Sequence, residues 1–253
     1  MTNIKAIIID TETTGIKPWD DILQVSIIDF EGNVLFNKYM KPVKATEWPQ
    51  AEAIHGISPE MVKDCENILY YKEEIQSIID AADLIIGYNN SFDMGILADK
   101  GIIAKGKEQV DVMQIFAEIY GDWNEYHQSY RWQKLTKCAD YYGYEWEEDA
   151  HNALGDVKAT LYCYKKILEK RRNLMASLTI RDIEDSITAM EGHIKVQCWN
   201  GDDADVLYEG EGLFDIKDEI KDREICYIFP YDTGERPAIC IELSCENESE
   251  DMR

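Results

Sequence analysis

The sequence predicts an α/β fold, a mixed five-stranded sheet flanked by helices and followed by a small C-terminal α+β module. Residues 4–9, Ile-Lys-Ala-Ile-Ile-Ile, are a nearly continuous apolar run, as expected of a strand buried inside a sheet. Two more strand patterns, 22–30 and 34–40, follow and are joined across Glu31-Gly32-Asn33, which reads as a hairpin turn. Beyond them, short apolar runs alternate with stretches of helical spacing. Antiparallel strands followed by alternating strands and helices give a mixed sheet with helices on both faces.

The remaining elements follow in order. Helical spacing covers 58–64 and 68–80. Ala82 to Ile86 reads as a short buried strand, Ser91 to Lys100 as a helix, and Val110 and Asp111 as the end of a fifth strand. Helices are expected at 112–120 and 131–142, and a long one from about 150 to 172. After Arg172 the pattern changes. Thr179 to Met190 has helical character, and 194–199, 204–209, 224–229 and 238–243 have strand character. Ile239, Ile241 and Leu243 alternate with Cys240 and Glu242, the mark of a half-buried strand. The chain is therefore expected to divide into residues 1–176 and 177–253, with the module proper at 178–246 and a polar, frayed end after it.

Composition narrows the function classes. At 253 residues and 45% hydrophobic content the chain can build a real core plus a smaller second one. No segment approaches the roughly 18 apolar residues of a membrane span, and the apolar run up to Ile9 is too short for a signal-peptide core. Seven cysteines without a Cys-x-x-Cys pair argue against a zinc ribbon or disulfide scaffold and for a reducing, cytoplasmic setting. The net charge of −24 is unevenly spread: residues 1–176 hold 19 basic and 29 acidic side chains, residues 177–253 hold 7 and 21. The second part is thus a poor candidate for gripping a phosphate backbone. A site in the first part escapes most of that charge, because screening acts over about 8 Å. An acidic site also suits metal ions, which restore attraction to phosphates.

Three short segments carry the chemistry. Asp10 and Glu12 lie two apart at the end of the first strand, so both carboxylates point the same way. Four other Asp-x-Glu triplets occur, starting at Asp29, Asp64, Asp182 and Asp222. What sets the first apart is the buried strand running straight into it, since open α/β sheets place ligands at strand C-terminal ends. Asn89-Asn90-Ser91-Phe92-Asp93 again follows an apolar strand, with Asn90 or Ser91 placed to cap a helix and Asp93 in its first turn. An acid there also simply complements the helix dipole. His151-Asn152-Ala153-Leu154-Gly155-Asp156 opens the long helix. Two fully helical residues five apart would lie about 140° apart on the wheel, so His151 is expected in the opening turn and Asp156 facing the sheet. A buried-side Asp needs a partner, and a metal ion is a natural one.

Together these residues resemble the DEDDh exonuclease family, which has the ribonuclease H-like fold, with the closest likeness to DnaQ-like proofreading epsilon subunits of bacterial DNA polymerase III. Asp10-Thr11-Glu12-Thr13-Thr14-Gly15 matches the first family motif, Asn90-x-Phe92-Asp93 the second and His151-x-Ala153-x-x-Asp156 the third. Ala53-Ile54-His55-Gly56-Ile57 is similar to the family's His-Gly segment. The likeness spans about residues 4–172. It implies 3′→5′ removal of nucleoside 5′-monophosphates from DNA ends, preferably single-stranded. Asp10, Glu12, Asp93 and Asp156 would be ligands of two Mg²⁺ or Mn²⁺ ions and His151 the general base, with Thr13, Ile54, His55 and Phe92 against the terminal nucleotide. RNA ends, or 3′-end trimming in a repair or CRISPR-adaptation system, are the alternatives.

Other features stay open between two readings. Lys165, Lys166, Lys170, Arg171 and Arg172 would track phosphates or complement a helix end. Trp123, Tyr126, Tyr130 and Trp132 would stack single-stranded bases or pack among themselves. The acidic second part is expected to bind a protein partner, and no membrane partner is expected.

Overall fold

The structure is a computed structural model that describes residues 5–146, 152–176, 178–183, 193–200, 203–211, 215–232 and 237–243. The chain divides into two compact units, Met1–Lys166 and Ile167–Arg253. Among the described residues no helix is long and apolar enough to cross a membrane.

The first unit holds the expected mixed sheet. Strands β1 (Ala6–Thr13), β2 (Ile22–Asp29) and β3 (Val34–Tyr39) are antiparallel neighbours, and β4 (Leu84–Gly87) and β5 (Glu108–Asp111) extend the sheet in parallel from β1. The order is β3-β2-β1-β4-β5. Ile7, Ile8 and Ile9 are all buried, so both faces of β1 are covered. Ile7 and Ile9 join a core with Ile68, Ile75 and Ile79 of α3 (Ile68–Ala81) and Met94, Ile96 and Leu97 of α4 (Asn90–Asp99). Ile8 leaves the opposite face, and by strand alternation Asp10 and Glu12 share that side.

Three local differences from the sequence reading bear on the site. First, β1 does not stop at Asp10. It pairs with β2 as far as Thr13↔Ile22, with a bulge between Glu12 and Thr13. Both motif carboxylates therefore stand within the hydrogen-bonded strand, as their expected common direction requires. Second, helix α1 (Pro49–His55) was not expected. Pro49 starts it, where its missing N–H costs nothing, and Gly56 closes it at φ 71°, with its N–H donating to Glu52 O at 2.7 Å. A one-turn helix, α2 (Pro59–Val62), follows. Third, the helix expected at 131–142 begins only at Leu135.

That helix comes after α5 (Val112–Tyr120) and a two-stranded hairpin, β6 (Trp123–Asn124) and β7 (Ser129–Tyr130). It is α6 (Leu135–Tyr142). Trp123 pairs with Tyr130 across the hairpin, edge to face at 5.0 Å. The long helix α7 (Ala153–Ala176) runs further than expected and crosses the division between the units. Lys165 and Lys166 therefore lie mid-helix, over the rings of Phe30 and Tyr162, rather than near its end.

The second unit contains β8 (His193–Asn200), β9 (Asp203–Glu211), the short α8 (Asp218–Lys221), β10 (Ile225–Asp232) and β11 (Pro237–Leu243). They form a four-stranded sheet of order β10-β11-β8-β9, with β8 and β11 parallel. Ile180, Ile194, Val196, Ile216, Ile225, Ile241 and Leu243 make a core of its own. Of the helix expected at 179–190, residues 184–190 lie outside the described residues.

Candidate active site

The carboxylates converge where the parallel ladder on β1 ends. Strand β4 pairs with β1 only as far as Ile8↔Ile86. Past that point the edge of β1 is taken up by α4 instead. Asp93 Oδ1 accepts from Thr11 N at 2.9 Å and from Thr11 Oγ1 at 2.7 Å, both buried. Thr11 thus ties the middle of the first motif to the second, a role hidden in the sequence between two more conspicuous acids.

Helix α4 reaches this point because the chain turns sharply after β4. Asn89 adopts φ 66°, and its N–H donates to Asp111 Oδ1 at 3.0 Å. The helix starts at Asn90, with no side-chain cap from Asn89. Gly87 is needed here, since a Cβ would stand 2.7 Å from Asn90 Oδ1 and 3.0 Å from its Cβ and Cγ.

Helix α7 brings the fourth acid. Asn152 Oδ1 caps it by accepting from Leu154 N at 3.0 Å, and Ala153 N donates to Gln24 Oε1 on β2 at 3.4 Å. Asp156, one turn on, then reaches the face of β1 that carries Asp10 and Glu12. Carboxylate oxygens of Asp10, Glu12 and Asp156 lie within 4.8 Å of one another. His151 lies outside the described residues.

Electrostatics show what this grouping lacks. Burial, then repulsion from Asp93, Asp156 and Glu12, raises Asp10 well above the usual carboxylate range. Burial, then Asp156 and Asp93, pushes Glu12 up to about 9. Burial raises Asp93 to about 7 despite the opposing hydrogen bonds from Thr11. Carboxylates this close resist ionising together unless positive charge is added. The donors are all oxygen, which fits a hard divalent cation. The residues present therefore fit metal ions.

The flanking residues surround this cluster. His55 is held by backbone on both ring nitrogens: Ile57 N donates to Nδ1 at 3.0 Å, so Nε2 carries the proton and donates to Thr13 O at 3.1 Å. The Ile57 turn is fixed in turn by the buried Trp48, whose indole donates to Ile57 O at 2.7 Å. Thr13 Oγ1 donates to Gly15 O at 2.6 Å. Ile54 is 62% exposed, and Phe92 is half-buried in the first turn of α4. A cavity of about 700 Å³ has Asp156 and Ile54 on its wall, together with Tyr88, Met113, Trp132 and Lys134. Tyr88 went unnoticed in the sequence. Its place directly after a buried strand was the available signal.

The exonuclease family model (RNase_T) matches residues 7–164, which takes in the sheet and the four carboxylates. The chain belongs to this exonuclease family. It is an exonuclease of DEDDh type, a 3′→5′ enzyme acting on nucleic-acid ends, and the family is divalent-metal dependent. An uncharacterised exonuclease, CP81, of Escherichia phage 186 is 30% identical over 165 residues, covering 61% of this chain and 84% of that protein. RNA exonuclease 4 of Aspergillus fumigatus is 23% identical over 167 residues, covering 64% and 50%. The DNA polymerase III epsilon subunit of Rickettsia conorii is 33% identical over 103 residues, covering 38% and 44%. The match thus spans half or less of the last two proteins. Among solved structures, E. coli exonuclease I in complex with a dT13 oligonucleotide superposes with a TM-score of 0.54 at 22% identity, covering 72% of this chain and 45% of that one. At that identity the likeness shows the shared fold.

Proposed function

We propose that the enzyme hydrolyses the terminal phosphodiester bond at the 3′ end of DNA, preferring single-stranded ends, and releases nucleoside 5′-monophosphates. The observation that carries this is the meeting of Asp10, Glu12 and Asp156 within 4.8 Å, with Asp93 anchored to Thr11 between the first two. Asp10, Glu12, Asp93 and Asp156 would hold two Mg²⁺ or Mn²⁺ ions. Bound there, the ions would supply the positive charge that favours an attacking hydroxide and a departing 3′ oxygen.

The chain's own groups do the rest. His151, five residues ahead of Asp156 in the sequence, takes the proton of the attacking water, its ordinary pKa lying near neutrality. The terminal nucleotide rests against Thr13, Ile54, His55 and Phe92. Because backbone groups engage both ring nitrogens of His55, a nucleotide would meet the ring face. Residues 1–176 form the nuclease portion, and residues 177–253 an acidic accessory module for a protein partner.

The DNA preference draws on the oligonucleotide complex of exonuclease I and on the epsilon subunits. The RNA exonuclease 4 relatives favour a second reading, hydrolysis of RNA 3′ ends. Digestion of matched single-stranded DNA and RNA oligonucleotides under one Mg²⁺ condition separates the two. Faster loss of DNA is expected, and faster loss of RNA would replace the first reading with the second.

A further inference from the structure

Trp132 is 68% exposed, although the chain on either side of it is held in place. Arg131 N donates to Asp122 O at 2.8 Å, extending the β6–β7 ladder. Tyr88 Oη donates to Gln133 O at 2.8 Å, and burial keeps that phenol protonated by raising its pKa far above the usual value. A large aromatic side chain is thus presented to solvent from a fixed backbone. The preceding hairpin packs its own aromatic pair, Trp123 against Tyr130. Trp132 lines the same 700 Å³ cavity as Asp156 and Ile54, and so does Lys134. A cavity of this size is in the usual range for holding a small ligand, roughly 300–1,000 Å³. Its lining includes Asp156 of the acidic cluster, the cation Lys134, and two aromatic residues, the exposed Trp132 and the hydrogen-bonded Tyr88.

We infer that Trp132 is a stacking platform for an unpaired base of the DNA strand whose 3′ end lies at the carboxylates, with Lys134 placed for its phosphates. This rests on the reading of the site as a DNA exonuclease centre. Stacking on an aromatic ring tolerates any base, because every base has a π-face. The platform would therefore secure single strands without selecting sequence, and a base locked in a duplex could not use it.

The test is binding of a fluorescein-labelled oligothymidylate to the full chain, followed by anisotropy with Ca²⁺ in place of Mg²⁺. Base–aromatic stacking of about 1–3 kcal/mol corresponds to roughly 5- to 150-fold in Kd, so Trp132→Ala should weaken binding within that range. Trp132→Phe should recover most of the loss. A matching oligomer with abasic sites next to its 3′-terminal nucleotide should bind wild type weakly, and Trp132→Ala should then cost little more. Equal losses on both oligomers would indicate a merely structural role and overturn the inference, as would unchanged binding by Trp132→Ala. Mg²⁺-dependent hydrolysis of the same oligothymidylate by wild type reports separately on the DNA-exonuclease reading. Hydrolysis with no Trp132 effect sinks only the platform, whereas absence of hydrolysis sinks the DNA reading whatever the Kd values are.

Discussion

Asp10 and Glu12 leave the same face of β1 and meet Asp156 there, at a separation that ordinary carboxylates avoid. This has a consequence for stability. Glu12 is raised from 4.5 to about 9, so between those values the folded, metal-free chain keeps a proton that the unfolded chain has released. A group of this kind stabilises the fold fully below about pH 4.5, and that contribution is lost as pH rises towards 9. Glu12→Gln removes the penalty, so in EDTA its melting temperature should gain on wild type as pH rises. A gap between the two that stays flat with pH would contradict the assignment. His151 makes a different prediction. If it takes the proton of the attacking water, His151→Ala should lower turnover about 10²–10⁴-fold. Divalent-ion binding, measured by calorimetry, should persist. An unaltered rate at neutral pH would remove His151 from the mechanism.

At the scale of elements, the site depends on how β4 hands over to α4. Gly87 lets Asn90 fold back against the strand end, which sets the first turn of α4 and hence Asp93. Gly87→Ala should therefore cost about 1–3 kcal/mol, as crowding in a packed region does. The urea midpoint would show it, and activity should fall with it. An unchanged midpoint would mean that Asn90 moves aside freely. Much of this arrangement was legible beforehand. Strong hydrophobic runs marked β1, β2 and β4, and each of the three motifs sat beside a predicted element end. What escaped the sequence was local and cooperative. Helix α1 is seven residues long and has no buried residue of its own, so it leaves no apolar periodicity to read. The β6–β7 hairpin, between the helices expected at 112–120 and 131–142, escaped because each strand has only two residues. Thr11 gave no sign of its bonds to Asp93, which depend on where a distant ladder stops.

For the whole molecule, charge and chemistry are distributed unequally. Every carboxylate of the site precedes residue 157, while residues 177–253 carry 21 acidic and 7 basic side chains. A chain ending at Ser177 keeps α7 entire and should retain activity on short oligonucleotides. It should also bind DNA at least as tightly as the full chain, most clearly at low salt, where like charges repel furthest. Fluorescence polarisation of both chains across a salt series measures this. Markedly weaker binding by a well-folded shortened chain would show that the acidic module contributes to the grip on substrate. The central claim, a metal-dependent enzyme that works inward from 3′ ends with Asp10 at its centre, has a more direct test. Single-stranded DNA labelled at its 5′ end should shorten stepwise from the 3′ side with Mg²⁺, releasing nucleoside 5′-monophosphates. EDTA, a blocked 3′ end or Asp10→Ala should each stop the reaction. Cleavage of circular single strands as fast as linear ones would contradict the account, as would Asp10→Ala activity within about tenfold of wild type.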